Sequence, residues 1–268
     1  MYFSRTRHSC RALIYLALSF AAAALGAEQS PPVNVSAAGL SLPDVEQLPR
    51  PLSPQVRGDI YMARKMFREA IVAYREGPPN SAVLTNKIGI AFHELLQFRL
   101  AKKYYKRAIK LDPKYPQAVN NLGTIFYGEK KYKKSIKLYK RALRLYGENP
   151  PASVYANLGA AYFSRKKYKR SMAAYADALR IDPNVFWQNS RFGTVMQERG
   201  IRQRALFHLY LAKVYAKLGD SNDALLYLRK ALEEGLKNRK NIPKMPEFAA
   251  LKKSAAFQQL LAENPKPL

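Results

Sequence analysis

The sequence contains a single cysteine, Cys10, among its 268 residues. This cysteine lies in an N-terminal segment that we expect to be cleaved off during export. The mature chain would then have no cysteine, which excludes disulfide bonds, thiol catalysis and cysteine metal sites. Side-chain packing must therefore hold the mature chain together.

Histidine is also scarce, because the chain has only His8, His93 and His208. His93 is followed directly by Glu94, but neighbouring side chains on a helix point about 100° apart and cannot both ligate one ion well. The sequence has no phosphate-binding glycine loop, no Gly-x-Ser-x-Gly motif and no paired-carboxylate motif. We therefore predict a protein that is not an enzyme and that binds no metal and no cofactor.

Acidic residues are few: 19 Asp and Glu stand against 46 Lys and Arg, which leaves a formal net charge of +27. Such an excess attracts nucleic acid, anionic lipid headgroups or acidic proteins. A lysine-rich surface that serves only solubility is an equal alternative. The excess is concentrated in residues 99–144, where 15 Lys and Arg stand against Asp112 and Glu129.

The N-terminus has the pattern of a signal peptide. Arg5, Arg7 and Arg11 precede an apolar run over 12–25, which is too short to span a bilayer comfortably as a helix. We predict a signal peptide over 1–27, with cleavage after Ala27 and an alternative cut three residues earlier. The protein is then exported, either periplasmic or secreted. An uncleaved segment that anchors the chain in the inner membrane is the alternative.

Residues 28–54 are rich in proline and show no helical period. Dense prolines block helix interiors and favour extended conformations, so we predict a linker here. A leader segment with no role of its own is the other interpretation.

From residue 55 onward the sequence repeats itself. Gly89 and Gly123 are 34 residues apart, as are Ala108 and Ala142, and Gly159 follows Gly123 after 36 residues. Self-similarity at about 34 residues is typical of stacked helical hairpins.

One copy of the repeat shows the shared pattern most clearly. Its residues are Tyr155, Leu158, Gly159, Tyr162, Ser171, Tyr175, Ala178 and Pro183. The pattern resembles the tetratricopeptide repeat. The resemblance implies an all-α, right-handed superhelical α-solenoid of about five helix-turn-helix repeats with a C-terminal capping helix. We assign four repeats to 55–184, an insertion to 185–204, a fifth repeat to 205–237, and the capping helix and tail to 238–268.

Small and aromatic residues recur at matching places in these repeats. We expect the mid-helix glycines, such as Gly123, to lie where a neighbouring helix approaches closely. Alanines such as Ala142 would form the matching small surface, and tyrosines such as Tyr139 would fill the wider gaps. Asp-Pro pairs at Asp112 and Asp182 would mark where one hairpin ends and the next begins.

Two segments depart from the repeat. The insertion contains Trp187 and several arginines. It is either a functional loop or an insertion with a purely structural role. Residues 246–262 form an apolar pattern at helical spacing, and we predict one amphipathic helix there that caps the stack.

The resemblance implies that the first helix of each repeat lines a concave groove. The candidate groove residues, by their spacing from the repeat glycines, are Lys87, His93, Asn121, Tyr127, Asn157 and Phe163. The amides of Asn121 and Asn157 can hydrogen-bond the backbone of an extended peptide. Hydrogen bonding to the next helix is the equal alternative.

The second helices would form the outer, convex wall and bear much of the charge. The candidate residues for binding a polyanion are Lys102, Lys103, Lys106, Lys133, Lys134, Lys137, Lys140 and Arg141. The sequence thus supports two functions: a scaffold that binds a protein or peptide in its groove, or an adaptor for an anionic envelope polymer or membrane surface. Export argues against nucleic acid as the partner.

Overall fold

The computed structural model describes residues 52–186, 201–237 and 239–263. These ranges contain eleven α-helices, two 3-10 helices and no strand. The α-helices are α1 (Pro54–Ala63), α2 (Phe67–Arg75), α3 (Ala82–Glu94), α4 (Phe98–Leu111), α5 (Pro116–Gly128), α6 (Tyr132–Tyr146), α7 (Ala152–Ser164), α8 (Tyr168–Ile181), α9 (Ile201–Leu218), α10 (Ser221–Glu233) and α11 (Ala255–Ala262). The 3-10 helices span Arg239–Lys244 and Pro246–Leu251.

The helices pack as five consecutive hairpins. Each odd-numbered helix from α1 to α9 packs most extensively against the helix that follows it, and each hairpin then packs against the next. The first helices α3, α5 and α7 also contact one another directly. This arrangement confirms the predicted all-α solenoid of about five hairpins.

The turn inside each hairpin is a Schellman motif. In the third hairpin, the backbone N–H of Lys130 donates to the carbonyl of Tyr127 and that of Lys131 to the carbonyl of Phe126, both at 2.8 Å. Such a turn places the residue after the C-cap in the left-handed region. Five residues adopt this conformation in the five hairpins: Lys65, Leu96, Lys130, Lys166 and Gly219.

The Asp-Pro pairs end the second helices, as predicted. Asp112 is the C-cap of α4 and Asp182 is the C-cap of α8, both in extended conformation. Each carboxylate accepts a hydrogen bond from the backbone N–H two residues later, at 2.8 Å from Lys114 and 2.9 Å from Asn184. These bonds shape the chain reversal into the next hairpin.

The repeat glycines are indeed sites of close approach, but their expected partners were wrong. A Cβ at Gly123 would lie 2.7 Å from the Cε1 atom of Tyr139, and one at Gly89 would lie 2.7 Å from the ring of Tyr105. The tyrosine rings of the second helices therefore lie on the glycines and are themselves fully buried. The missing side chain of each glycine therefore makes room for a tyrosine ring of the second helix, and not for a repeat alanine as expected.

The C-terminal segment caps the stack, but it is not one continuous helix. The chain forms the 3-10 helix Pro246–Leu251, leaves helical structure, and starts α11 with the Ser254 hydroxyl accepting from the N–H of Phe257. The 3-10 helix packs on α9 and α11 packs on α10. Phe248 and Phe257 are buried. The break lets these two short helices pack on different helices of the last hairpin.

Two element boundaries differ from the predicted ranges. Helix α1 begins at Pro54, the last residue of the predicted linker, with Ser53 as its N-cap. Helix α9 begins at Ile201, inside the predicted insertion. The predicted signal peptide, nearly all of the linker and Trp187 lie outside the described residues. Within the described ranges, no helix has the length and apolar content needed to cross a bilayer.

Candidate functional site

Asparagines connect the first helices across three repeats. The side-chain amide of Asn157 on α7 donates to the Oδ1 atom of Asn120 on α5 at 3.2 Å. Asn120 donates to the adjacent Asn121 at 3.3 Å, and Asn121 donates to Asn86 on α3 at 3.1 Å. These four residues form one continuous series of hydrogen bonds, which we call the asparagine chain.

The asparagine chain gives Asn121 and Asn157 a structural role. Both amides hydrogen-bond a neighbouring first helix, so they hold consecutive hairpins together. Asn86 is 2% exposed, whereas the other three asparagines are only half-buried. The amide oxygen of Asn157 accepts no hydrogen bond within the described part of the chain. A structural role is therefore established, and one end of the chain stays open to a ligand.

Lys87 lies beside this chain on α3, but its charge is already paired. Its Nζ atom lies 2.6 Å and 2.8 Å from the two carboxylate oxygens of Asp59 on α1. The Tyr74 hydroxyl donates to the same carboxylate at 2.6 Å. Burial opposes ionisation of Asp59, but hydrogen bonds from Lys87 and Tyr74 outweigh it and hold the pKa of Asp59 below its ordinary value. Lys87 thus links the first two hairpins.

The aromatic groove candidates fall into different environments. The Tyr127 hydroxyl lies 3.1 Å from the Ser164 hydroxyl of α7, and His93 lies edge-on to the Phe98 ring. Both His93 and Tyr127 are partly exposed. Phe163, however, is only 5% exposed and packs against Phe207 of α9. The prediction of Phe163 as a contact residue was wrong, because the fifth hairpin covers it.

The basic candidates on the second helices also divide into two groups. Lys102 lies 2.5 Å from Glu129 and its Nζ atom sits over the Phe126 ring, so it is engaged within the fold. Arg141 donates to the carbonyl of Pro113 at 2.6 Å. The remaining candidates are exposed and form no ion pair with a described residue: Lys103, Lys106, Lys133, Lys134, Lys137 and Lys140.

The role of Arg141 recurs one repeat earlier, and the sequence reasoning missed it. Arg107 donates to the carbonyl of Pro79 at 3.1 Å, just as Arg141 does to Pro113. Both arginines immediately precede a repeat alanine, and both carbonyls belong to prolines in the preceding link between hairpins. The 34-residue spacing of the arginines was the available signal. Arg141 therefore stabilises the stack and is not a free cation that could bind a polyanion.

A second polar cluster lies between α9 and the end of α10. Glu234 accepts from the Nε atom of Arg204 at 3.2 Å, and the Nδ1 atom of His208 lies 2.7 Å from the same carboxylate. Burial lowers the pKa of His208, and this effect outweighs the attraction of Glu234. In the described ranges, no three His, Cys, Asp or Glu side chains are grouped as metal ligands would be.

Comparison with known proteins agrees with this architecture. Sequence profiles described as tetratricopeptide repeat match residues 116–184, and also 86–115 and 208–234. The uncharacterized protein ycf37 of Porphyra purpurea is 33% identical over 75 residues, a match that covers 24% of this chain and only 43% of that protein.

Solved structures of similar fold include PilF of Pseudomonas aeruginosa, which is 21% identical with a TM-score of 0.51, over 79% of this chain and 86% of that one. MamA is 22% identical with a TM-score of 0.45, over 68% of this chain and 96% of that one. The PilF likeness concerns the fold alone. Together with the hairpin packing and the glycine pattern, the profile matches identify the helical hairpins over 86–184 and 208–234 as tetratricopeptide repeats.

Proposed function

We propose that this protein is a non-catalytic scaffold of the cell envelope that binds an extended segment of a partner protein along its first helices. The tetratricopeptide repeats support protein–protein interaction as the general function. The surface of α3, α5 and α7 is the proposed binding wall, with Lys87, His93, Asn121, Tyr127 and Asn157 along it.

The asparagine chain is the observation that supports this proposal. Each amide in it is oriented by its neighbour, so the open oxygen of Asn157 is held in one direction before a ligand arrives. The backbone of an extended peptide presents N–H groups that such an oxygen accepts, whatever the peptide sequence. A scaffold of this kind needs little side-chain specificity from its partner.

Substitution of Asn157 tests the binding wall with the least structural damage. Asn157 is at the end of the asparagine chain and, among the described residues, donates to Asn120 alone, so its loss leaves the other bonds of the chain intact. We expect Asn157→Ala to reduce capture of the co-purifying partner about tenfold, with the melting temperature nearly unchanged. Asn222→Ala, an exposed position on α10, is the matched control and should capture normally. Equal capture by both variants would place the binding site elsewhere.

Envelope location is the second part of the proposal, and it rests on the signal-peptide pattern over 1–27. Cell fractionation, combined with N-terminal sequencing of the purified protein, tests it. A mature chain that starts at Glu28 supports export. A chain that retains its N-terminus and stays with the membrane fraction supports the anchored alternative, and a chain in the cytosol contradicts both.

A further inference from the structure

Turns of the same kind lie at the same edge of the stacked hairpins. Because consecutive helices are antiparallel, the turns inside the first four hairpins lie at one edge, and the links that follow each hairpin lie at the opposite edge. The basic edge comprises residues 60–71, 91–102, 125–136 and 161–172, and each range holds the last four residues of a first helix and the next eight. The opposite edge comprises the corresponding ranges after the second helices, 72–83, 108–119, 143–154 and 178–186, the last of which stops where the described residues end.

The two edges differ strongly in charge. The basic edge has 14 Lys and Arg against Glu69, Glu94 and Glu129, a net charge of +11. The opposite edge has five basic and four acidic residues, a net charge of +1. Seven of these 14 residues lie in the turns themselves and seven at the starts of the second helices, so the excess charge of the second helices continues into one edge of the stack and not into the other.

The electrostatics of the helix ends does not account for these charges. The lysines at the start of α6 and α8 occupy first turns that contain no acidic residue. Cations near a helix N-terminus oppose the helix dipole, so these positions disfavour them. Glu129 compensates part of the charge at the third turn, through Lys102 and Lys131. Those two hydrogen bonds hold the pKa of Glu129 below its ordinary value.

The basic edge also exposes large apolar side chains. Leu96 at the tip of the second turn is 72% exposed, Phe98 is 47% exposed and Met66 in the first turn is 38% exposed. Leu96 has a φ of 59°, a conformation that costs any residue other than glycine. The opposite edge also exposes apolar residues, Val72 at 59% and Ile181 at 49%, but neither has a positive φ. Because the exposed Leu96 side chain adds little to the packing of the hairpins, we take a contact with an apolar partner as the reason for a leucine at this strained position.

We propose that the basic edge docks on an anionic lipid bilayer surface. The Lys and Arg side chains of the first, third and fourth turns would contact the headgroups, while Leu96, Phe98 and Met66 enter the apolar boundary below them. A soluble polyanion would need the charges but not the exposed apolar residues, which is why the bilayer is favoured over nucleic acid or polysaccharide. This binding is a second function beside the scaffold function: His93 and Tyr127 of the proposed binding wall fall within the ranges of the basic edge, whereas Asn157 lies outside it.

Charge substitution at the two edges provides a matched test on the full chain. Binding is measured by co-sedimentation with vesicles of phosphatidylcholine alone and of phosphatidylcholine with phosphatidylglycerol. The edge variant changes Lys130, Lys133, Lys166 and Lys169 to Gln. The control variant changes Lys110, Lys114, Arg144 and Arg180 to Gln. Each loses four charges, so nonspecific attraction falls equally. The apolar run over 12–25 is present in both.

We expect the wild type to prefer the anionic vesicles, the edge variant to bind them at least about tenfold more weakly, and the control variant to stay within about twofold. Equal losses in the two variants would overturn the proposal, since only net charge would then matter. Equal binding of the wild type to both kinds of vesicle would overturn it as well.

Leu96→Gly separates a lipid surface from a soluble polyanion. The variant relieves a strained backbone position, so the fold should keep or gain stability while binding to anionic vesicles falls several-fold. Retention on heparin should not change, because the charges are untouched. Unchanged vesicle binding by Leu96→Gly, or strong heparin retention by a wild type that ignores vesicles, would assign the basic edge to a soluble polyanion instead.

Discussion

Replacement of Lys130 or Lys166 by glycine should make this protein more stable, although each change removes a side chain from a repeat turn. Both lysines have a φ of 57° at the left-handed position of their Schellman turns, and both are exposed. Neither side chain hydrogen-bonds a described residue. The fifth hairpin already has Gly219 at this position, with a φ of 84°.

The expected gain follows from two opposing effects. A residue other than glycine in the left-handed region lowers the stability of the fold by about 1–2 kcal/mol. Glycine, in turn, lowers it by about 0.4–1 kcal/mol because it gives the unfolded chain more conformational freedom. The difference is a gain of about 0.5–1 kcal/mol per site. For a domain of this size, that raises the melting temperature by about 1–4 °C. The two sites lie in separate hairpins, so the double variant should gain about twice as much.

Urea unfolding followed by far-ultraviolet circular dichroism measures this gain, and Lys137→Gly is the matched control. It removes the same side chain and the same charge from the exposed middle of α6, where the backbone is right-handed helix. Glycine there should lower the free energy of unfolding by about 1 kcal/mol. Equal destabilisation by Lys130→Gly and Lys137→Gly would refute the reasoning, because the sign must depend on the backbone conformation.

Three further predictions concern packing, hydrogen bonding and pH. Gly123→Ala should lower the free energy of unfolding by about 1–3 kcal/mol because the new Cβ would lie 2.7 Å from Tyr139. Gly128→Ala, with no atom within 4 Å of the new Cβ, should be neutral or stabilising, and a loss at both sites would contradict this account. Asn121→Ala should lower the free energy of unfolding in urea by about 1–3 kcal/mol, because the buried amide of Asn86 loses its partner. An unchanged urea midpoint would show that the asparagine chain has no structural role. The lowered pKa of His208 makes the unfolded chain the better proton acceptor, so stability should fall as the pH drops below the ordinary histidine value of 6.5. His208→Gln should flatten that slope between about pH 5 and 7, and an identical slope would exclude His208 as its source.

The sequence by itself determined the class of fold, the repeat period and the ends of some of the helices. The 34-residue period predicted the helical hairpins, and the Asp-Pro pairs at Asp112 and Asp182 predicted where the second and fourth hairpins end, as the structure shows. These features could be predicted because they are local: a helix ends where proline removes its hydrogen bonds, and a repeat shows itself as a spacing along the chain.

Only the tertiary structure decided which residues meet across the hairpins. The sequence could not tell that Tyr139, not Ala142, lies on Gly123, or that Asn157 reaches Asn120 over 37 residues. It also placed Phe163 on a groove that the fifth hairpin in fact covers. Each of these contacts depends on the angle at which one helix packs on another, and that angle results from many side chains packing at once.

The distribution of charge likewise depends on the tertiary structure. The excess of Lys and Arg is evident from composition, and its recurrence at helical spacing pointed to the second helices. Its concentration at one edge, beside the exposed Leu96, appears only when the hairpins are stacked with their turns aligned. Residues such as Lys130 and Lys166 are 36 positions apart in the chain, and they come to lie at the same edge because stacking places equivalent turns side by side.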